Sequence, residues 1–227
     1  MDIENIGSHL RNILLFSSLT NDELRQIGDK IAVKRFRKND VIMYAEDTNE
    51  FMYVILAGKV KVIQTTEDGK EMILAIHREG DFFGEVSLID NKTTPAMVLA
   101  LEDSIIALVS KLDFSSLLYS QGKVLDVLLK ILCSRLRESW SKIQMLTFTN
   151  ASQKIKMLFL LLSEEHGIKT GEGVILDIKL THQDIANMIG ISRETVTRII
   201  DKWHKDGEIK MVGNKVRLLS HNFLQRI

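Results

Sequence analysis

A chain of 227 residues that is 45% hydrophobic can bury the cores of two modest domains. Its single cysteine, Cys133, excludes an intrachain disulfide and any cysteine-only zinc or iron–sulfur site, and so argues against a secreted, disulfide-stapled protein. The charge is balanced but uneven: from Ala151 onward there are 12 Lys plus Arg against 9 Asp plus Glu, and in the first 150 residues 18 against 21, so the C-terminal part is the mildly basic one.

The N-terminus MDIENIGSHL is acidic and does not read as a signal peptide. The longest apolar runs, such as MLFLLL at 157–162, are too short to span a bilayer. A cytoplasmic protein with no membrane partner is expected. Residues 9–16 and 20–31 read as short helices, the second capped by Thr20 with Glu23 closing a capping box. From Ala32 the apolar period shortens to two, and the runs are interrupted at Lys38-Asn39-Asp40, Glu46-Asp47, Ala57-Gly58 and Asp68-Gly69. Asp68-Gly69 between alternating runs is a hairpin signal, and several short strands at this spacing predict an antiparallel sandwich or jelly roll.

Residues from Asp113 to about Thr149 have helical period and no proline. Leu125, Leu129, Leu132, Leu136, Ser139, Ile143 and Leu146 follow one another by alternating steps of four and three, the a/d pattern of a coiled coil. A second stripe, Val124, Val127, Leu128 and Ile131, is expected to pack on the strand domain. Two stripes imply two partners, the helix's own domain and a second copy of the chain. The alternative is a helix buried in one large core.

The polar stretch Thr147–Ser152 reads as a hinge. Gln153–Glu165 reads as an amphipathic helix with Ile155, Leu158, Phe159 and Leu162 inward, 167–173 as a loop, and Val174–Lys179 as a strand. THQDIANMIGISRETVTRIIDKW, from Thr181 to Trp203, reads as two helices around a tight turn. Thr181 and Asp184 form a capping box, Gly190 suits a left-handed helix end, and Ser192 caps the second helix. There Val196, Ile199, Ile200 and Trp203 face one way, and Arg193, Glu194, Thr197 and Arg198 the other. An apolar back with Arg, Glu and Arg in front is what major-groove reading needs: Arg donates twice to guanine O6 and N7, and Glu accepts from cytosine N4. A merely solvated face is the competing reading of the pattern alone. Glu208–Val212 and Val216–Leu219 around Gly213-Asn214 read as a hairpin wing, on which Lys210, Lys215 and Arg217 can reach phosphates.

ISRETVTRII closely resembles the recognition helix of the cyclic-AMP receptor protein / fumarate-nitrate reductase regulator (CRP/FNR) family of bacterial transcription factors, with Ser192-Arg193-Glu194-Thr195-Val196 and Arg198 matching residue for residue. MYVILAGKVKV resembles that family's central strands, with Ala45 where many members carry Gly. The resemblance implies an α+β chain in three parts. These are an N-terminal cyclic-nucleotide-binding-type β-roll over 1–112, a long dimerisation helix and hinge over 113–149, and a winged helix-turn-helix DNA-binding domain over 150–227. It also implies a homodimer on double-stranded DNA with TGTGA-like half-sites in inverted repeat, and RNA polymerase as a partner. Arg193, Glu194 and Arg198 would read bases. Thr181, Gln183, Ser192, Thr195, Thr197 and Lys215 would hold the DNA backbone. His182 and His204 flank this region and would contact phosphate when protonated.

Gly84-Glu85-Val86 with the later Thr93-Thr94-Pro95-Ala96 resembles the family's phosphate-binding cassette. In cyclic-nucleotide-binding members the Glu bonds the ribose 2′-hydroxyl and an Arg followed by Ser or Thr holds the phosphate. Glu85 matches the first, but Thr94-Pro95-Ala96 stands where Arg-Ser-Ala is expected, and no Arg lies between Arg78 and Arg135. An Arg–phosphate bond contributes roughly 1.5–3 kcal/mol, so its loss argues against tight cyclic-AMP binding. Gly84, Glu85, Val86, Thr93 and Thr94 are the candidate effector residues, and the effector itself stays open. They equally suit a structural turn and cap with no ligand. A cupin-type metal site is not expected, since the β region holds one histidine, His77. Haem would rest on His77 alone and is disfavoured, and one cysteine cannot ligate an iron–sulfur cluster. Cys133 can be a redox switch or an inert thiol. No catalytic constellation stands out, so an enzyme is not expected. The rival reading is a nucleotide-type sensor module that regulates a partner protein. Activation versus repression, and the target genes, do not follow from the residues.

Overall fold

The computed structural model describes residues 6–47, 50–148, 150–213 and 215–219. The chain divides into two compact units, Met1–Arg135 and Leu136–Ile227.

The first unit opens with α1 (Ile6–Arg11), a 3-10 turn (Leu14–Phe16) and α2 (Asn21–Gly28). The capping box that begins α2 has the expected form: Glu23 N–H donates to the Thr20 hydroxyl, and Thr20 N–H donates to the Glu23 carboxylate at 2.6 Å. Eight strands follow: β1 (Ala32–Phe36), β2 (Val41–Met43), β3 (Phe51–Ala57), β4 (Lys59–Thr65), β5 (Glu71–Arg78), β6 (Phe82–Phe83), β7 (Met97–Ala100) and β8 (Ser104–Ser110), with α3 (Glu85–Asp90) between β6 and β7. They form two four-stranded antiparallel sheets, ordered β1-β8-β3-β6 and β2-β7-β4-β5. This is the antiparallel two-sheet arrangement that the alternating runs predict, and the β-roll that the family resemblance implies.

The period of two shows why β3 is apolar throughout. Met52, Val54 and Leu56 face a cluster with Phe16, Leu24 and Phe114. Ile55 joins the other cluster with Val60, Phe83, Val98 and Ile106, and Phe51 and Tyr53 pack against it. Both faces of the strand are covered, one by helices and one by the second sheet. Gly58 links β3 to β4 at φ +90, where a Cβ would lie 2.3 Å from Ser104 Oγ. No other residue suits that corner.

The single helix expected from Asp113 to about Thr149 is two helices. α4 (Lys111–Ser120) ends at Gln121, whose backbone is not helical (φ −128, ψ 80), and α5 runs from Gly122 to Thr147. Helical spacing continues across the break, and Gly122 makes it inexpensive. Of the second stripe, Val124 and Leu128 are fully buried and Ile131 packs against the same core, while Val127 is only half-buried.

The second unit holds the end of α5, α6 (Ala151–His166), β9 (Gly167–Thr170), β10 (Gly173–Leu176), α7 (His182–Ile189), α8 (Arg193–Lys205), β11 (Ile209–Val212) and β12 (Lys215–Leu218). Asn150 caps α6 by accepting from Ser152 N–H at 2.8 Å. Ile155, Leu158, Phe159 and Leu162 are buried as their spacing predicts. The four strands make one sheet, β11-β12-β10-β9. Residues 167–173, expected as a loop, hold β9. The strand expected over Val174–Lys179 stops at Leu176. The pattern hides β9 because Ile168, Lys169 and Thr170 are all exposed, so nothing alternates. Gly167 makes the sharp exit from α6 possible, since a Cβ there would sit 2.1 Å from the Ser163 carbonyl oxygen. β11 and β12 form the wing, and Asn214 of its turn lies outside the described residues.

Candidate nucleic-acid interface and effector cassette

The helix-turn-helix is built by three local devices. Thr181 Oγ1 accepts from Asp184 N–H at 3.0 Å, and Asp184 Oδ2 accepts from Thr181 N–H at 2.9 Å, which closes the capping box of α7. Gly190 ends α7 at φ +66, in the left-handed region that an L side chain resists. Ser192 Oγ accepts from Thr195 N–H at 3.2 Å and starts α8. Val196, Ile200 and Trp203 then anchor the back of α8 in the core, with Trp203 tilted against Phe159 at 6.2 Å.

Anchoring one face leaves the other outward. Arg193, Glu194 and Arg198 are exposed, and they line one open depression with Thr197, Asp201 and Lys202. Among the described residues none of the side chains of Arg193, Glu194 and Arg198 makes a hydrogen bond or an ion pair within the chain. Their donors and acceptors are therefore available to base edges without first breaking an internal bond.

The residues expected at the DNA backbone stand differently. Gln183 is exposed and donates to Asn187 at 2.7 Å. The hydroxyls of Thr181, Ser192 and Thr195 are engaged in caps. Thr197 Oγ1 donates to the Arg193 carbonyl at 3.0 Å and lies 2.8 Å from His182 Nδ1. On the wing, Lys215 pairs with Asp177 and Arg217 with Glu172. Those two cations are thus largely neutralised within the unit, whereas Lys210 is exposed. His204 is also exposed.

In the first unit Gly84, at φ +87, precedes α3 and turns Glu85 inward, where it is 2% exposed. Its partner is Arg135 from α5. Arg135 Nη1 donates to Glu85 Oε1 at 2.6 Å, Nη2 donates to the Phe82 carbonyl at 2.6 Å, and the guanidinium lies 4.7 Å over the Phe82 ring. Burial pushes the Glu85 carboxyl above its ordinary range, and the downward pull of Arg135 offsets this only in part. Sequence reasoning does not place Arg135 in this cassette. A signal for it exists, because Val124, Leu128 and Ile131 continue at helical spacing to 135.

The remaining cassette residues bond within the protein. Thr94 Oγ1 lies 2.7 Å from Ser87 Oγ, Thr93 donates to Glu46, and Val86 is exposed. A cyclic phosphate does not fit this arrangement: the expected guanidinium is absent beside two hydroxyls that already have partners. Among the described residues no group of three or more His, Cys, Asp or Glu is placed to hold a metal, and no helix is long and apolar enough to cross a membrane.

The other stripe of α5 is uncovered in the single chain. Leu125, Leu129, Leu136, Ile143 and Leu146 are exposed, as is Trp140 (59%), while Leu132 is half-buried against the core. Cys133 is exposed.

A β-roll joined by a long helix to a winged helix-turn-helix defines a ligand-sensing-type regulator with a DNA-binding module. Residues 33–121 match the cyclic nucleotide-binding domain model and residues 153–227 the Crp-like helix-turn-helix domain model. The chain is 27% identical over 213 residues to the cyclic AMP receptor protein of Thermus thermophilus, covering 94% of this chain and 95% of that one. It is 28% identical over 181 residues to the global nitrogen regulator of Synechococcus elongatus, covering 78% and 82%. Among solved structures, FixK2 from Bradyrhizobium japonicum superposes with a TM-score of 0.75 at 20% identity, covering 86% and 95%. A CRP/FNR-family transcriptional regulator from Thermus thermophilus does so with a TM-score of 0.67 at 26% identity, covering 85% and 96%. The chain belongs to the CRP/FNR family of transcription regulators. A sensor module acting only on a partner protein is not favoured.

Proposed function

We propose that the protein works as a homodimer on double-stranded DNA, pairing through the exposed α5 stripe so that two α8 helices meet half-sites about one helical turn apart. In this reading residues 1–112 sense, 113–149 pair and couple, and 150–227 read DNA, and the protein acts in the cytoplasm with RNA polymerase as a further partner. Arg193 and Arg198 donate to guanines and Glu194 accepts from cytosine, on TGTGA-like half-sites in inverted repeat. The observation that carries this reading is that these three side chains stand exposed and uncommitted on a helix whose opposite face is locked in the core.

The effector acts on the β-roll and biases α5, and through it the spacing of the two recognition helices. Arg135 supports this coupling, because it ties α5 to the cassette. A titration of a labelled TGTGA-type inverted-repeat duplex with and without cyclic AMP tests the proposal. Salt-dependent binding indifferent to cyclic AMP is expected. Binding that appears only with cyclic AMP would overturn the effector reading, and no preference for the inverted repeat over an unrelated duplex would overturn the half-site reading.

A further inference from the structure

The sheet of the second unit buries Ile209, Leu176 and Leu218 on one face. Its other face carries Lys210, Lys215 and Arg217. Lys210 and Arg217 stand opposite each other in the β11–β12 register, and Lys215, two residues from Arg217 along β12, shares their side. Lys210 is exposed, whereas Lys215 pairs with Asp177 and Arg217 with Glu172. The two pairs differ in cover. The Lys215 side chain is 34% exposed and that of Asp177 36%, so this ammonium lies within reach of a phosphate. The Arg217 side chain is only 16% exposed. Asp177 is set for its pairing by the backbone. Val174 lies opposite Leu218 and Ile175 opposite Arg217, and the same register carried two residues on brings Asp177 opposite Lys215. Asp177 N–H donates to the His166 carbonyl at 2.7 Å, which anchors the start of the side chain. An ammonium beside a carboxylate offers a phosphate little net charge. To meet DNA it must leave the carboxylate or bring it along, and either way less is gained from releasing counterions.

We propose that Asp177 restrains DNA binding: its carboxylate stands in for a backbone phosphate at Lys215, and so withholds one phosphate contact per protomer from every sequence alike. This rests on the reading of the second unit as the DNA-binding one, and adds to it a residue that works against affinity. The wing cation nearest to solvent within a pair is thus held in reserve, and the charge of the wing is smaller than its count of Lys and Arg suggests.

The test uses the full-length protein, titrated with a TGTGA-type inverted-repeat duplex and with an unrelated duplex over a series of salt concentrations. Asp177→Asn keeps the shape of the side chain and removes its charge. It should bind both duplexes more tightly, and the slope of log affinity against log salt should steepen by about 0.9 per protomer. Glu172→Gln adds the same charge to the same sheet beside the covered Arg217, and its slope should equal that of the wild type. In a Lys215→Met background, Asp177→Asn should steepen nothing. Thermal unfolding shows whether each variant is folded, and Asp177→Ser repeats the reading if the Asn variant is not. A pair that only holds the sheet together would lower the melting temperature on substitution and leave the slope unchanged. An unchanged slope in Asp177→Asn overturns the proposal, as does equal steepening in Glu172→Gln or in the Lys215→Met background. If the wild type binds neither duplex, the DNA-binding reading itself has failed, and this inference with it.

Discussion

Arg135 Nη1 donates to Glu85 Oε1 across 2.6 Å, and so joins α5 to the cassette of the β-roll through a carboxylate that is almost wholly buried. Removing one member of such a pair costs about 3–5 kcal/mol when the other stays charged. The pH dependence has a definite sign. Burial raises the Glu85 pKa, so the cost of its charge is absent below the ordinary carboxylate range and grows as pH rises through the raised folded value. In Arg135→Met the downward pull of the guanidinium is gone and the folded value climbs further. The stability deficit of the variant should be small at pH 5 and about 3 kcal/mol at pH 8, read from denaturant midpoints. A deficit equal at both pH values would mean that Arg135 stabilises through pH-independent contacts, such as those with the Phe82 ring and carbonyl, and not through the Glu85 charge.

Arg198→Ala should weaken specific binding by about 1–3 kcal/mol and flatten discrimination at one guanine. The fold should be intact, because Arg198 is exposed and makes no internal bond. Competition titrations with base-substituted duplexes measure this. Unchanged base preference would remove Arg198 from the reading set.

Leu136→Glu should yield a folded monomer that binds the inverted repeat poorly. The side chain is exposed in the single chain, so its replacement should change the stability of each unit by under about 0.5 kcal/mol while placing a charge in the proposed seam. Sedimentation velocity beside thermal unfolding separates the two effects. A stable dimer in this variant would move the interface elsewhere.

Thr181→Ala should cost about 1 kcal/mol by opening the α7 capping box, and Thr181→Ser should recover most of it. Thermal unfolding of the full chain reads both. Identical melting of the three proteins would mean that backbone geometry alone holds this turn.

Local features are legible in the residues themselves. Capping boxes at Thr20–Glu23 and Thr181–Asp184, the glycine stop at 190 and the alternating strands are short-range, so a few side chains and one helical turn decide them. The two stripes of α5 are legible for the same reason, since 3.6-residue geometry sorts Val124 and Leu128 from Leu125 and Leu129. The break at Gln121 and the strand β9 are not. Helical spacing runs through the first, and every β9 residue after Gly167 is exposed, so no pattern marks it.

By itself, then, the sequence determined the class of fold and which face of α8 is turned outward, because periodicity and caps are properties of neighbouring residues. Only the tertiary structure decided which side chains are already spent. Arg135 reaches Glu85 from 50 residues away, Lys215 reaches Asp177 from 38, and His182 Nδ1 reaches the Thr197 hydroxyl from 15. A hydrogen bond formed over such distances depends on where whole elements come to rest. It removes a donor or acceptor that the sequence alone would count as available.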